Sequence, residues 1–121
     1  MTRNQDIGKR SEEFVAQFLI RRGCVILARN YSVHNVGEID IICKYKEKIL
    51  VIEVKSRSTS MNYGTPEEAV TKSKQNKILH TTAEYCRENK ISLDRVSYFV
   101  AGVTHDTCGN PVKVQFTPFF D

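Results

Sequence analysis

Apolar residues recur along the chain with two different periods, and each change of period marks an element. Over about Gln5–Arg22, the residues Ile7, Phe14, Val15, Phe18 and Leu19 return at helical spacing, which predicts an amphipathic helix. Gly23 follows two arginines and predicts its stop. At 3.6 residues per turn, Glu13 points away from the stripe, whereas Glu12 lies on its flank beside Leu19. Val25–Ala28 reads as a short strand, and Arg29–Val36 as a polar, turn-rich connection to Gly37. Two strands follow, at about Glu38–Lys44 and Lys48–Arg57, joined by a short charged turn. The second is apolar from Ile49 to Ile52 and rich in β-branched residues, the pattern of a strand buried on both faces.

The segment from Ser58 to Gly64 reads as a loop. Thr65, Pro66 and Glu68 then have the chemistry of a helix start: a cap, a first-turn proline and the acid of a capping box. Helix is expected from there to about Asn89, with room for a break near Lys72–Lys74 and with Ile78, Leu79, Ala83 and Cys86 on its apolar side. Val96–Val103 is a fourth strand, and a turn at Gly109-Asn110-Pro111 leads to a last one near Val112–Phe116. A helix, three strands, helix and two strands suit an α/β fold with a mixed central sheet flanked by helices.

The third strand also carries the chemistry. Side chains alternate along a strand, so Val51, Glu53, Lys55 and Arg57 share one face. An acid and a base thus emerge together at the end of a core strand, where charges need a partner or a task. Asp40, set among isoleucines on the neighbouring strand, is within reach of the same place. Magnesium takes oxygen ligands, typically one or two carboxylates completed by water and substrate oxygens. Asp40 and Glu53 can supply them, with the backbone carbonyl of Val54 as a further ligand, and Lys55 can orient water or stabilise charge on a phosphate. If Glu12 approaches, three carboxylates face one ammonium, and a divalent cation would balance them. The same residues also allow a plain Glu53–Lys55 ion pair with Asp40 capping a turn, and spacing alone does not choose. Lys72, Lys74 and Lys77 fit either a solvated helix face or a ridge of phosphate contacts. Tyr31 and Tyr63 fall in expected loops flanking the cleft, where they can stack on bases. His34, His80 and His105 are isolated in sequence.

Bulk properties narrow the field only slightly. The 121 residues suit a single domain spanning 1–121, and 40% hydrophobic with 26% charged residues is a globular balance. A formal charge of +4 is compatible with nucleic acid without demanding it. The start is polar, and no apolar run approaches membrane-spanning length, so no membrane partner is expected. Cys24, Cys43, Cys86 and Cys108 are dispersed, without zinc spacing, and read as buried free thiols of a reducing cytoplasm. A homodimer is allowed, but nothing in the chain requires one.

One set of residues is specific beyond its chemistry: Gly8 with Glu12, Gly23, Arg29-Asn30-Tyr31, Gly37-Glu38-Ile39-Asp40, Glu53-Val54-Lys55-Ser56-Arg57, Tyr63-Gly64, Pro66, Ala69-Val70 and Lys74. In these the chain resembles the small bacterial YraN-type family of the restriction-endonuclease-like (D…ExK) nuclease superfamily, over Gly8 to about Val103. It is also similar to the archaeal Holliday-junction resolvases. The resemblance implies an αβββαβ core and a Mg²⁺ or Mn²⁺ site at Asp40, Glu53 and Lys55, with Glu12 matching a first-helix glutamate. The function expected is metal-dependent hydrolysis of phosphodiester bonds, in DNA ahead of RNA, with Arg57, Tyr63, Lys74 and Lys77 as nucleic-acid contacts. The alternative is a non-catalytic nucleic-acid-binding module of the same fold within a larger assembly. A structural partner protein is a third reading. Two positions depart from the family pattern: Ser11 stands where members usually carry glycine, and Phe99 where many carry aspartate.

Overall fold

The sheet is built around the apolar third strand. A computed structural model describes residues 3–58 and 70–120. Its elements are α1 (Arg3–Arg21), β1 (Val25–Val33), β2 (Gly37–Tyr45), β3 (Lys48–Ser58), α2 (Lys72–Asn89), β4 (Val96–His105) and β5 (Pro111–Pro118), with one 3-10 turn at Leu93–Arg95. The strands lie in the order β1-β2-β3-β4-β5. All neighbours are antiparallel except β3 and β4, which pair in parallel from Ile49↔Val96 to Ser58↔His105. The first six main elements reproduce an αβββαβ core of the restriction-endonuclease type, and β5 extends its sheet.

Each face of the sheet has its own core. On one, Val15, Ala16 and Leu19 of α1 pack on Ile41, Cys43, Ile52, Ala101 and Val103. On the other, Ile78 and Tyr85 of α2 pack on Ile39, Ile42, Ile49, Val51 and Val100. Ile49, Val51 and Ile52 are all buried, as expected of a strand covered on both sides. Gly23 ends α1 with φ of +92°, and Cys24 N–H returns to the Leu19 carbonyl at 3.0 Å, the helix stop that the arginine–glycine pair predicts.

Three expectations change. β1 is not a four-residue strand followed by a loop; it runs on through polar residues to Val33. An edge strand needs little apolar surface, so Arg29 and Ser32 are compatible with pairing to β2. In α2 the buried residues include Thr81 and Thr82, while Leu79 is exposed. Both threonine hydroxyls donate to carbonyls one turn back, of Lys77 and Ile78, at 2.7 Å, which makes their burial affordable. Cys24, Cys43 and Cys86 are buried as expected, but Cys108 is exposed on the β4–β5 turn. The helix start expected at Thr65, Pro66 and Glu68 lies outside the described residues. Within them α2 begins at Lys72, with the Thr71 side chain accepting from Lys74 N at 3.2 Å.

Candidate active site

The β2–β3 ladder stops at Ile41↔Ile52, and just beyond it the two strands exchange a side chain for a backbone bond. Asp40 Oδ2 accepts the N–H of Val54 at 2.8 Å. A residue in an antiparallel strand directs its N–H and C=O to the same side. The Val54 carbonyl therefore also faces β2, while its side chain packs into the α1-side core.

A backbone irregularity aims Asp40. Arg29 lies on the α1 side, bonded to Glu13 at 2.8 Å, yet Tyr31, two residues on, lies on the α2 side with its ring 5.1 Å from that of Tyr85. Their ladder partners Ile41 and Ile39 divide between the two cores in the same way. Strict alternation would keep each pair on one face. Between Arg29 and Tyr31, Asn30 has φ of +53°, a left-handed conformation that asparagine tolerates better than most residues. The ribbon turns over at Asn30 and Asp40, and such local breaks commonly re-aim a functional side chain.

Asp40 and Glu53 meet in one recess of about 410 Å³, closed on the other side by the start of α2: Thr71, Ser73, Lys74 and Lys77. Glu53 is only 2% exposed, and its Oε2 has no hydrogen-bond partner among the described residues. Burial pushes the Glu53 carboxyl up to about 8, and the charge of Asp40 adds to the push. Two ammonium groups oppose it, and Lys74 of α2 acts more strongly than Lys55 of the same strand. Lys55 is itself held below the ordinary lysine range, by burial first and then by Lys74, which lies within hydrogen-bonding reach. Asp40, Glu53 and Lys55 therefore converge, and Lys74 joins them more intimately than a peripheral phosphate contact would.

Glu12 sits next door. It is half-buried and lines a separate recess of about 510 Å³ with Lys9, Glu13, Arg29 and Asn30. Its carboxyl is raised by burial first and by Asp40 second, while Arg29 and a hydrogen bond with Asn30 pull it down. It is thus at the rim, close enough to feel Asp40 but outside the recess that Asp40 shares with Glu53. Asn30 was missed as a site residue because its role is set by backbone conformation. Its signals in the sequence are a polar run and its place in the Arg29-Asn30-Tyr31 set that carries the resemblance, and neither gives its conformation.

The remaining candidates divide. Lys77 lines the acidic recess, whereas Arg57 lies farther along β3, partly buried and opposite Thr104. Tyr63 lies outside the described residues. Tyr31 is not in a loop and is not free to stack: its hydroxyl donates to Glu88 and its ring packs edge-on to Tyr85.

The donor set suits a hard divalent cation. A buried carboxylate oxygen without a partner, beside a second carboxylate, is what a cation would satisfy. Among the described residues, no three or more His, Cys, Asp and Glu side chains gather closely enough to form an all-protein cage. Magnesium does not need one.

A sequence profile described as "Uncharacterised protein family UPF0102" matches residues 11–102, from the residue before Glu12 through most of β4. The chain belongs to the UPF0102 family. A UPF0102 protein of Dictyoglomus turgidum is 31% identical over 115 residues, covering 95% of this chain and 96% of its own. That of Clavibacter michiganensis is 36% identical over 92% of each chain. Another, from Clostridium botulinum, is 44% identical over 73% of this chain and 70% of its own. Membership in UPF0102 agrees with the resemblance read from the sequence, and it carries no activity with it. No helix among the described residues is long and apolar enough to cross a membrane.

Proposed function

We propose that this UPF0102 chain is a divalent-cation-dependent phosphodiester hydrolase acting on nucleic acid, DNA ahead of RNA. The observation that carries the reading is the unpartnered, buried Glu53 Oε2 held against Asp40, with Lys55 and Lys74 at its side. A structural ion pair has no use for an orphaned carboxylate oxygen, because burying one is costly. Asp40 and Glu53 would hold Mg²⁺ or Mn²⁺, with the Val54 carbonyl on the same side. Bound there, the cation supplies an activated water and neutralises charge on the phosphate. Lys55 stabilises the charge that builds on the phosphate during attack, and Lys74 and Lys77 hold phosphate at the mouth. Glu12 orients solvent at the rim. The four cysteines are free, which fits a cytoplasmic protein.

The test is cleavage of branched, flapped and single-stranded DNA, and of RNA, with Mg²⁺, Mn²⁺ or EDTA. Cutting should need the metal and vanish in Asp40→Ala, Glu53→Ala and Lys55→Ala, while binding largely survives, because these groups serve the transition state. Firm binding without cutting across the panel would replace the hydrolase by a non-catalytic binding module.

A further inference from the structure

The positive charge of the chain is not centred on the acidic recess. It collects at the opposite end of the sheet, where β2 ends at Tyr45 and β3 begins at its partner Lys48. There the Tyr45 ring lies beside Gly23, just past the end of α1, and Lys44 pairs with Val25. Arg95 donates to the carbonyl of Glu47 at 2.9 Å. These contacts bring Arg21, Arg22, Lys44, Lys46, Lys48 and Arg95 to one pole, against the acids Glu47 and Asp94. That excess alone equals the formal +4 of the whole chain. Among the described residues, none of the first five is in an ion pair.

Surface lysines by themselves decide nothing, but the hairpin tip has a second peculiarity. Lys46 opens the two-residue turn with φ of +54°, a conformation that favours glycine, asparagine or aspartate. A lysine stands there at a conformational cost that glycine would avoid. Its ammonium stands over the Tyr45 ring, 5.3 Å from the centroid, and the ring itself is 39% exposed. Strain at an exposed tip points to a use for the side chain.

We propose that the β2–β3 hairpin tip, with the C-terminal end of α1, is a second nucleic-acid-binding surface that grips the phosphate backbone of a DNA duplex. A two-stranded β-ribbon fits the major groove of DNA, and Lys44 and Lys48, on opposite faces of the ribbon by alternation, with Lys46 at its turn, can meet phosphates on the two walls. At about 3.3 Å per residue, the tip stands roughly 15–20 Å along the strands from Asp40 and Glu53. Duplex held there does not occupy the acidic recess, so one arm of a nucleic acid can be gripped while another strand enters the site. An anionic membrane is the rival occupant. It is disfavoured at the hairpin tip itself because an interfacial segment needs an apolar face to bury, and among residues 44–48 only Tyr45, beneath a lysine, is a large exposed hydrophobic; Ile20, Val25 and Leu93 are exposed to the side of the tip. The surface stands whether or not the chain cuts.

The experiment is fluorescence anisotropy with a labelled duplex in EDTA, at low and moderate salt, alongside sedimentation with phosphatidylglycerol vesicles. Lys44→Gln with Lys46→Gln and Lys48→Gln should raise Kd by at least about tenfold and make its salt dependence shallower by about three phosphate contacts. Lys74→Gln with Lys77→Gln should change duplex binding less. Lys46→Gly alone should weaken binding while raising the melting temperature, an outcome that impaired folding cannot imitate. An unchanged Kd and salt slope in the triple variant would overturn the proposal, and so would vesicle binding without duplex binding. Failure of the metal site would appear as missing metal dependence and would leave these measurements untouched.

Discussion

Asp40 Oδ2 holds the backbone N–H of Val54 at 2.8 Å, so a carboxylate ties β2 to β3 where their backbone ladder has already ended. The same side chain therefore has a structural duty beside the chemical one proposed for it, and substitutions can separate them. Asp40→Asn keeps an oxygen for Val54 N–H and removes the charge facing Glu53. Without metal it should melt at the parent temperature or above, since functional sites commonly carry such a stability cost. Asp40→Ala loses the acceptor too and should be less stable than Asp40→Asn by about 1–2 kcal/mol. Chemical denaturation of the three proteins in EDTA measures this, and equal stability of Asn and Ala variants would remove the structural duty.

Metal should stabilise the parent. A ligand that binds only the folded state adds RT ln(1 + [L]/Kd), about 2.7 kcal/mol at a hundredfold excess over Kd. Thermal melts with Mn²⁺ and with EDTA should differ by several degrees in the parent and by little in Asp40→Asn or Glu53→Gln. An unmoved parent at millimolar Mn²⁺ would end the metal-site reading.

Glu53 sets the direction of a pH effect. Its folded carboxyl is raised to about 8, whereas an unfolded glutamate titrates near 4.3, so the folded state binds the extra proton between these values. That stabilisation is complete below the unfolded value and is lost as pH rises through the folded one. Metal-free protein should therefore lose stability from about pH 5 to pH 8.5, and Glu53→Gln should flatten the curve. Urea midpoints across that range, in EDTA, are the measurement. A parent that gains stability with pH would contradict it.

Gly37 offers a test through packing. A Cβ there would come within 2.7 Å of Thr81 Oγ1 and 3.2 Å of both the Cβ and the carbonyl oxygen of Lys77. Gly37→Ala must push α2 off the start of β2, at a cost of about 1–3 kcal/mol. Thr81→Ala added to it should recover part of the loss, because the contact with the Lys77 backbone remains. A double-mutant cycle by urea denaturation would show the coupling, and strict additivity would refute the contact.

Much of this fold can be read from periodicity, because β3 and α1 are decided by burial. The isoleucines and valines of β3 are covered on both sides, and the stripe of α1 ends at a glycine that must take positive φ. β1 could not be read to its full length, since an edge strand may be polar. The turnover at Asn30 is likewise invisible, because a single left-handed residue changes which face every later side chain takes. In the site, Asp40, Glu53 and Lys55 are legible because one hairpin carries them. Lys74 reaches Glu53 only through the crossover that lays α2 over the sheet, and spacing along the chain contains no trace of that.

The parallel pairing of β3 with β4 has a consequence for the order of assembly. Asp40, Glu53 and Lys55 share one hairpin, whose closure costs little loop entropy. β4 can pair only after the chain from Ser58 to Val96, with α2 inside it, has crossed the sheet. Contacts of that separation form late, because the entropy of closure must be met before they return anything. The two acids are therefore brought together early, while water still screens them, and holding them side by side becomes costly, in repulsion or in the proton that Glu53 takes up, only when α2 docks and dries the recess. Undocking of α2 relieves that cost, which makes the helix over the acids the first part of the site to let go.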